Sequence, residues 1–243
     1  SDGPTVLPSP QDKAMVELLA SLRRYRLYGT DEGFSKGDLA VLDEARRQAS
    51  TRLEGEERAA LDGLCAKLAA PDSGEARQRF QQLSATLAAK AVEDTSFYRY
   101  HRLFSRNEVG SDPGRIAISP GVFHAAAERR RVAFPAAMLA TATHDHKRGE
   151  DNRARLAVLS ESADEWAARV RGWFARYSEP ARSIQLAVYQ SLIGAWPLQF
   201  DRSHADERNA LRERLDGWLV KALREAKQQT SWSDPDESFE RAS

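Results

Sequence analysis

The sequence predicts a mainly helical protein with a few short strands, and three observations support this fold class. Apolar residues recur at intervals of three and four through residues 1–90 and again after residue 160. Serine and aspartate pairs that are typical of helix starts precede several of these stripes. Between the two helical regions the periodicity breaks, and glycine and proline separate short apolar runs.

Residues 1–90 form the first predicted region, which contains four helices. Ser9 and Asp12 flank Pro10, and this combination predicts a capped helix start. Ser35 with Asp38 predicts a second start. The four helices carry the following apolar stripes: Met15, Leu18, Leu22 and Tyr25; Leu39, Leu42 and Ala45; Leu61, Leu64 and Leu68, with Cys65 beside them as a small core residue; Phe80, Leu83 and Leu87.

Residues 91–160 form the second region, which is predicted to be irregular and to carry an active-site loop. The run "RIAI" (115–118) is a candidate short strand. The run "AAMLATAT" (136–143) is too short for an independent helix and predicts a strand buried on both faces. His144 and Asp145 follow it directly. Because ligands collect at the carboxyl ends of parallel strands, both residues are expected at a site.

Residues 161–243 form the third region, in which helices return. Ser162 with Glu165 predicts one helix start, and Ser203 with Asp206 predicts another. The tail from Thr230 is polar and is expected to be loosely ordered. Three apolar stripes mark the helices: Trp166, Val170, Trp173 and Tyr177; Ile184, Val188 and Leu192; Leu211, Leu215, Trp218 and Ala222.

Composition excludes several classes of function. Thirty-six basic residues balance 36 acidic ones, so no net charge favours nucleic acid or an anionic membrane as a partner. A single cysteine excludes an intramolecular disulfide framework and fits a reducing compartment. No apolar run is long enough to span a bilayer, and no signal sequence opens the chain. A cytoplasmic location is therefore expected.

The residues after 143 allow several kinds of chemistry. Asp145 and His144 have the hydrogen-bonding groups to hold sugar hydroxyls, or they merely cap the helix that follows. His144 and His146 lie two apart and could bind a metal, but the remaining histidines show no recognisable ligand spacing. Lys147 and Arg148 either contact a polyhydroxylated ligand or pair with nearby acids.

A second stretch, "VEDTSFYRYHRL" (92–103), places aromatic side chains beside carboxylates and arginine. Carbohydrate sites use this combination, because rings stack on sugars and charged groups bind their diols. A well-packed domain boundary uses the same residues. Both interpretations stay open on this stretch alone.

Longer motifs carry a family resemblance. "KAVEDTSFYRYHRLFSRNEVGSDP" (90–113) and "FPAAMLATATHDHKRGEDNRARLAVLSE" (134–161) strongly resemble the maltooligosyl trehalose synthases. These α-amylase-superfamily enzymes isomerise the reducing-end linkage of malto-oligosaccharides. "YQSLIGAWPL" (189–198) and "KALREAKQQTSW" (221–232) are similar to later blocks of the family. The resemblance implies a helical insertion followed by an incomplete part of a (β/α)8 barrel.

The resemblance also implies roles for individual residues. Asp145 would be the third catalytic carboxylate, which stabilises the oxocarbenium-like transition state, and His144 would bond a hydroxyl of the same sugar. No cofactor and no metal are implied. Substrate binding is expected of Lys147, Lys90 and Arg148, and support of the loop is expected of Glu150 and Asp151, with Arg148 sharing in it.

The chain departs from the family pattern at several positions. His146 stands where threonine is usual, His101 where asparagine is usual, and Ala91 where glycine is usual. Each departure either alters a subsite or is neutral.

The resemblance also shows what is missing. A retaining transfer needs a nucleophilic carboxylate and a separate acid/base, and the family carries the nucleophile in an R-x-D-H-like motif. No such motif occurs here. The chain is therefore expected to be a C-terminal fragment that is inactive without the N-terminal part of the same enzyme. The alternatives are a helical interaction or scaffold module and a His-liganded metallohydrolase.

Overall fold

The structure, a computed structural model, describes residues 7–177, 181–201 and 203–243. The chain divides into two compact units after Ala91. Within the described ranges it is almost entirely helical, and strand-like pairing is limited to one isolated bridge between Thr30 and Gly33. The predicted mainly helical fold class is confirmed. The further division predicted at residue 160 stays a prediction.

The first unit begins its helices where the sequence indicates. The Ser9 hydroxyl accepts a hydrogen bond from the Asp12 amide at 3.2 Å, and the Asp12 carboxylate accepts one from the Ser9 amide at 3.0 Å. Ser35 caps the second helix in the same way, at 3.1 Å from the Asp38 amide. Both predicted starts are confirmed. The helices are α1 (Pro10–Ser21), α2 (Lys36–Ser50), α3 (Gly55–Ala69) and α4 (Gly74–Ala88).

The core of the first unit is apolar, but one face of α4 is not. Leu18, Leu42, Leu61 and Cys65 are buried in the core, as predicted. On α4, Phe80 is buried, whereas the predicted partners Leu83 and Leu87 are exposed. The prediction of a purely apolar stripe on α4 is therefore wrong.

Arg77 explains the buried polar face of α4. Its guanidinium lies in the interior and donates hydrogen bonds to backbone carbonyls of the loop between α1 and α2 and of the end of α3. Leu68 O, for example, accepts one at 3.3 Å, and Asp31 O accepts one at 3.0 Å. A buried guanidinium that satisfies several carbonyls replaces the apolar contact that periodicity predicts.

The second unit packs its helices around a small core of Phe104, Leu156 and Ala187, with Ile193 and Trp218 against them. Ser162 is the N-cap of its third helix, although its side chain makes no capping bond. Ser203 instead bonds Asp201 at 2.7 Å, and His204 is the N-cap of the long helix, so the start predicted at Ser203 is one residue early. The helices are α5 (Pro120–Ala133), α6 (Glu150–Ala157), α7 (Ala163–Arg176), α8 (Arg182–Ala195), α9 (Ala205–Ala226) and α10 (Glu237–Ala242).

Buried amide side chains hold the irregular segment before α5. The Gln190 side chain on α8 accepts from the Phe104 amide and donates to the His101 carbonyl, both at 2.8 Å. Asn107 donates to the Phe97 carbonyl at 3.1 Å and also bonds the Tyr100 carbonyl. These side chains satisfy backbone groups that would otherwise need a helix or a strand.

The strand predicted at residues 136–143 does not form in the part of the chain that the structure describes, and neither does the one at 115–118. Met138 is 98% exposed, and Leu139 is also exposed, so the prediction of burial on both faces is wrong here. α5, which precedes this run, has no buried residue. A doubly buried parallel strand needs pairing partners on both edges, and no described segment pairs with this one.

The polar tail is better ordered than its composition indicates. Arg224 on α9 and Glu240 on α10 form a two-pronged ion pair at 2.7 and 2.8 Å, and the Thr230 hydroxyl donates to Glu240 at 2.6 Å. The expectation of a loosely ordered tail is therefore wrong.

Across the described helices, none combines the length and the hydropathy that crossing a membrane requires.

Candidate active site

The candidate site lies in the second unit, on the loop that connects residue 143 to α6. A tight turn shapes this loop: the His146 amide donates to the Thr143 carbonyl at 3.2 Å, and the Thr143 amide donates to His146 Nδ1 at 2.9 Å. The Asp145 amide donates to the Thr143 hydroxyl at 3.3 Å. These bonds occupy the backbone of the turn, so the side chains of His144 and Asp145 project from it.

His144 and Asp145 form an exposed pair at the tip of this turn. His144 Nε2 lies 3.5 Å from Asp145 Oδ2, and the side chains are 90% and 67% exposed. The carboxylate is therefore open to solvent and to a ligand. A carboxylate and an imidazole in this arrangement have the acceptors and donors that bind vicinal hydroxyls.

Lys147, two residues after Asp145, turns back toward the protein. Its amide donates to Glu108 Oε2 at 2.6 Å, and its ammonium lies 3.3 Å from Asp94 Oδ1 and 5.3 Å from the centre of the Tyr98 ring. The aromatic and acidic stretch around residues 92–103 thus contacts the loop. The predicted substrate-binding role of Lys147 stays a prediction.

Arg148 is buried rather than presented to solvent. Its side chain is 8% exposed, lies 3.4 Å from Glu108 Oε1 and stacks 4.1 Å from the centre of the Phe104 ring. Burial lowers the pKa of the Arg148 guanidinium, and the Glu108 carboxylate opposes that shift. These contacts favour loop support over direct substrate binding.

The start of α6 fixes the other end of the loop. Gly149 is the N-cap, and Glu150 and Asp151 lie in the first turn, where carboxylates interact favourably with the helix dipole. The Thr141 hydroxyl donates to Glu150 Oε1 at 3.0 Å. Hydrogen bonds from its own backbone amide and from Thr141 lower the pKa of Glu150. These contacts favour the predicted supporting role of both acids.

A cleft of about 260 Å³ adjoins the buried side of the loop. Lys147, Arg148 and Asn152 line one wall, and Ser191 and Trp218 line the other. The Ser191 hydroxyl and Asn152 Oδ1 are buried and make no hydrogen bond with any residue that the structure describes. Both oxygens are covered by the surrounding residues, and Asn152 Oδ1 lies against Gly194.

The three positions that depart from the family pattern have different surroundings. His146 belongs to the turn itself. His101 Nε2 is 2.8 Å from the Tyr98 carbonyl, and its ring meets edge-on the Phe104 ring on which Arg148 stacks. Burial lowers the pKa of His101, so the ring is neutral at pH 7. Ala91 ends the first unit.

Lys90 belongs to the first unit, in the π-helical segment Ala89–Glu93, and is exposed. The loop of the second unit carries His144, Asp145, Lys147 and Arg148. Among the described residues, no group of three or more histidine, cysteine, aspartate or glutamate side chains could hold a metal ion.

Sequence reasoning missed Glu108. This residue sits in "SRNEVG", a polar run that gives no sign of burial, yet its side chain is 1% exposed. The only available indication was its place within one of the two long family-like motifs.

Comparisons with known proteins support the resemblance. The chain is 41% identical over 167 residues to a provisionally named maltooligosyl trehalose synthase of Mycobacterium tuberculosis, a match that covers 69% of this chain and 21% of that protein. No family model matches the chain. The chain thus spans about a fifth of the length of the curated relatives that it matches.

Comparison with solved structures supports the same resemblance. The chain is similar to the maltooligosyltrehalose synthase of Arthrobacter ramosus, with 36% identity and a TM-score of 0.81 over 97% of this chain and 28% of that one. A hypothetical maltooligosyl trehalose synthase of Sulfolobus tokodaii is 29% identical, with a TM-score of 0.73 over 95% of this chain and 29% of that one. The predicted resemblance to a portion of these enzymes is confirmed.

Proposed function

The chain corresponds over most of its length to a portion of the maltooligosyl trehalose synthases, and from that premise we propose that it supplies part of such an enzyme's active site. The observation that carries the proposal is the exposed His144–Asp145 pair on a turn whose following residues are buried and anchored. An open carboxylate on a fixed support is what stabilisation of a charged transition state requires.

The proposed substrate is a malto-oligosaccharide, and the proposed reaction converts its reducing-end α-1,4 linkage to an α,α-1,1 linkage. The enzyme forms a glycosyl intermediate, retains the freed glucose and accepts its anomeric hydroxyl as the nucleophile. In this scheme Asp145 binds hydroxyls of the distorted sugar and offsets the positive charge that develops on its ring. His144 bonds a hydroxyl of the same sugar.

Lys147 and the cleft beside it suit the acceptor side of the reaction. Lys147 lines this cleft together with the polar residues Ser191 and Asn152. Retention of the glucose unit depends on such hydrogen bonds and on exclusion of water, since water at the intermediate gives hydrolysis instead.

The nucleophile and the acid/base belong, in this proposal, to the remainder of the parent enzyme. That remainder is also the partner we propose for the exposed run at 132–139 and for α5, which present Val132, Phe134, Met138 and Leu139 to solvent. The buried, unpaired Cys65 fits a parent enzyme in the reducing cytoplasm.

Substitution of Asp145 tests the proposal. In a full-length enzyme that carries this segment, Asp145→Asn should lower turnover of maltopentaose by about 1,000-fold or more, because the amide cannot offset the developing charge. Thermal unfolding should be unchanged, since the side chain is exposed.

Asp164→Asn is the matched control. Asp164 is an exposed carboxylate in the first turn of α7, and its replacement should leave turnover within about two-fold of the parent. Near-normal turnover by the Asp145→Asn enzyme would contradict the catalytic role and would favour a scaffold role for this segment.

A further inference from the structure

We propose that Glu108 is the positioning residue of the site, and that it fixes the Asp145-bearing turn through two separate bonds. This inference rests on the proposed function of Asp145. The anchoring of the turn by Glu108 can be measured whether or not the chain has enzymatic activity.

The first bond holds the backbone of the turn. Glu108 Oε2 accepts from the Lys147 amide at 2.6 Å, two residues after Asp145. A hydrogen bond from an amide to a buried carboxylate is charge-assisted and therefore stronger than a bond between neutral groups. It fixes the chain at the point where it leaves the turn.

The second bond holds the next side chain. Glu108 Oε1 lies 3.4 Å from Arg148 Nη1, and the Phe104 ring covers the guanidinium at 4.1 Å. Because both charged side chains are buried, separation of the pair would leave an uncompensated charge in the interior. The two oxygens of one carboxylate thus secure two consecutive residues.

Glu108 is itself rigidly placed. The neighbouring Asn107 is fully buried and donates to the Phe97 carbonyl at 3.1 Å, and the Glu108 carbonyl accepts from the Ser111 amide at 2.9 Å. Four residues earlier, the Phe104 amide donates to the Gln190 side chain on α8 at 2.8 Å. The carboxylate therefore holds the exposed turn in a fixed position relative to the helical core.

Accurate placement matters for the proposed chemistry, because a displacement of about 1 Å at a reacting group costs about 100-fold in rate. The side chain of Glu108 is 1% exposed, so it is not presented to a ligand at the tip of the turn. It acts through Lys147 and Arg148.

Hydrogen exchange in the 243-residue chain tests the anchoring. The double variant Glu108→Leu with Arg148→Met removes the acceptor and leaves no unpaired charge, so the unit should still fold. The Lys147 and Asp145 amides should then exchange about 10- to 100-fold faster, as expected for loss of a charge-assisted bond.

Two further variants sharpen the result. Glu108→Gln with Arg148→Met likewise leaves no buried charge, retains one carbonyl oxygen for the Lys147 amide, and should keep most of the Lys147 protection. Glu165→Gln removes an exposed carboxylate that pairs with Arg169 at 2.9 Å, and it should leave the turn unchanged. Equal exchange of Lys147 in the Glu108→Leu/Arg148→Met and Glu108→Gln/Arg148→Met variants would overturn the inference. Faster exchange that extends equally through α8 and α9 would also overturn it, since Glu108 would then stabilise the whole unit.

Activity supplies a separate readout. In a full-length enzyme, the double variant should lower kcat by about 100-fold with a much smaller change in KM, because the turn acts in the transition state. Unchanged kcat alongside a loosened turn would overturn the positioning role. If no parent enzyme isomerises malto-oligosaccharides at all, the proposed function fails, while the exchange result still decides whether Glu108 anchors the turn.

Discussion

In the second unit, individual side chains make hydrogen bonds to backbone groups that secondary structure would otherwise satisfy. Gln190 and Asn107 bond backbone groups of the irregular segment, and Glu108 bonds the Lys147 amide. Each is a polar residue that the sequence would place at the surface, because amides and carboxylates are seldom buried without partners. Their partners lie up to 89 residues away, as between Gln190 and His101, so no local pattern reveals them.

His146 provides a test at this scale, since it closes the turn that presents Asp145. Its Nδ1 accepts from the Thr143 amide at 2.9 Å and also lies 2.8 Å from the Thr143 hydroxyl. His146→Leu removes this acceptor, and the Thr143 amide should exchange about 10-fold faster, as expected for a lost hydrogen bond of ordinary strength. Hydrogen exchange followed by NMR measures this directly.

His146→Gln and His124→Leu complete that experiment. The glutamine carbonyl reaches back three residues, as in a capping box, and should preserve the protection of Thr143. His124 is exposed on α5, and its replacement should leave the Thr143 amide unchanged. Equal exchange in the leucine and glutamine variants would show that the side chain of His146 does not close the turn.

Helices were predictable from the sequence, and strands were not, for one physical reason. The caps at Ser9 and Ser35 act within three residues, so the local sequence contains the whole interaction. A strand is stabilised by a partner elsewhere in the chain, and the run at 136–143 has no such partner among the described residues. A polar loop that carries His144 and Asp145 before a helix was predictable from the local sequence, but their predicted place at the end of a buried strand was wrong. The burial of Arg148 against Glu108 was not predictable.

The last helix gives the pH prediction at the element scale. Bonds from Arg224 and then from Thr230 lower the pKa of Glu240 from 4.5 to about 2. A carboxyl whose folded pKa is depressed stabilises the folded state above its unfolded pKa and loses that contribution as the pH falls toward the folded pKa. The docking of α10 should therefore be constant above about pH 5 and should weaken between 4.5 and about 2.

Protection of the α10 amides, corrected for intrinsic exchange rates, measures that docking. Wild-type protection should exceed that of Glu240→Gln at pH 6, and the difference should vanish near pH 2. Glu237→Gln is the control, because Glu237 pairs with Arg241 in solvent and should have little effect. A difference that stays constant down to pH 2 would show that the Arg224–Glu240 pair does not hold the helix.

On the scale of the whole molecule, the second unit is well packed in one part and open in another. Its core around Phe104 and Leu156 is closed, whereas α5 and the run through Met138 bury nothing. Exposed apolar runs of this kind mark interaction surfaces. Since the chain matches about 28% of the Arthrobacter ramosus enzyme, the proposed function gives these residues a partner in the remaining length of such an enzyme.

The proposed placement of the nucleophile and the acid/base in the remainder of the enzyme predicts that the isolated chain is inactive. Retaining transfer requires a nucleophile and an acid/base about 5–5.5 Å apart, and in the proposed scheme Asp145 is neither. The purified 243-residue chain should therefore leave maltopentaose unchanged when non-reducing products and reducing ends are both quantified. A full-length enzyme that carries the segment, assayed alongside, should convert it. Conversion by the isolated chain that disappears with Asp145→Asn would contradict this prediction, because it would place all of the required carboxylates within these residues.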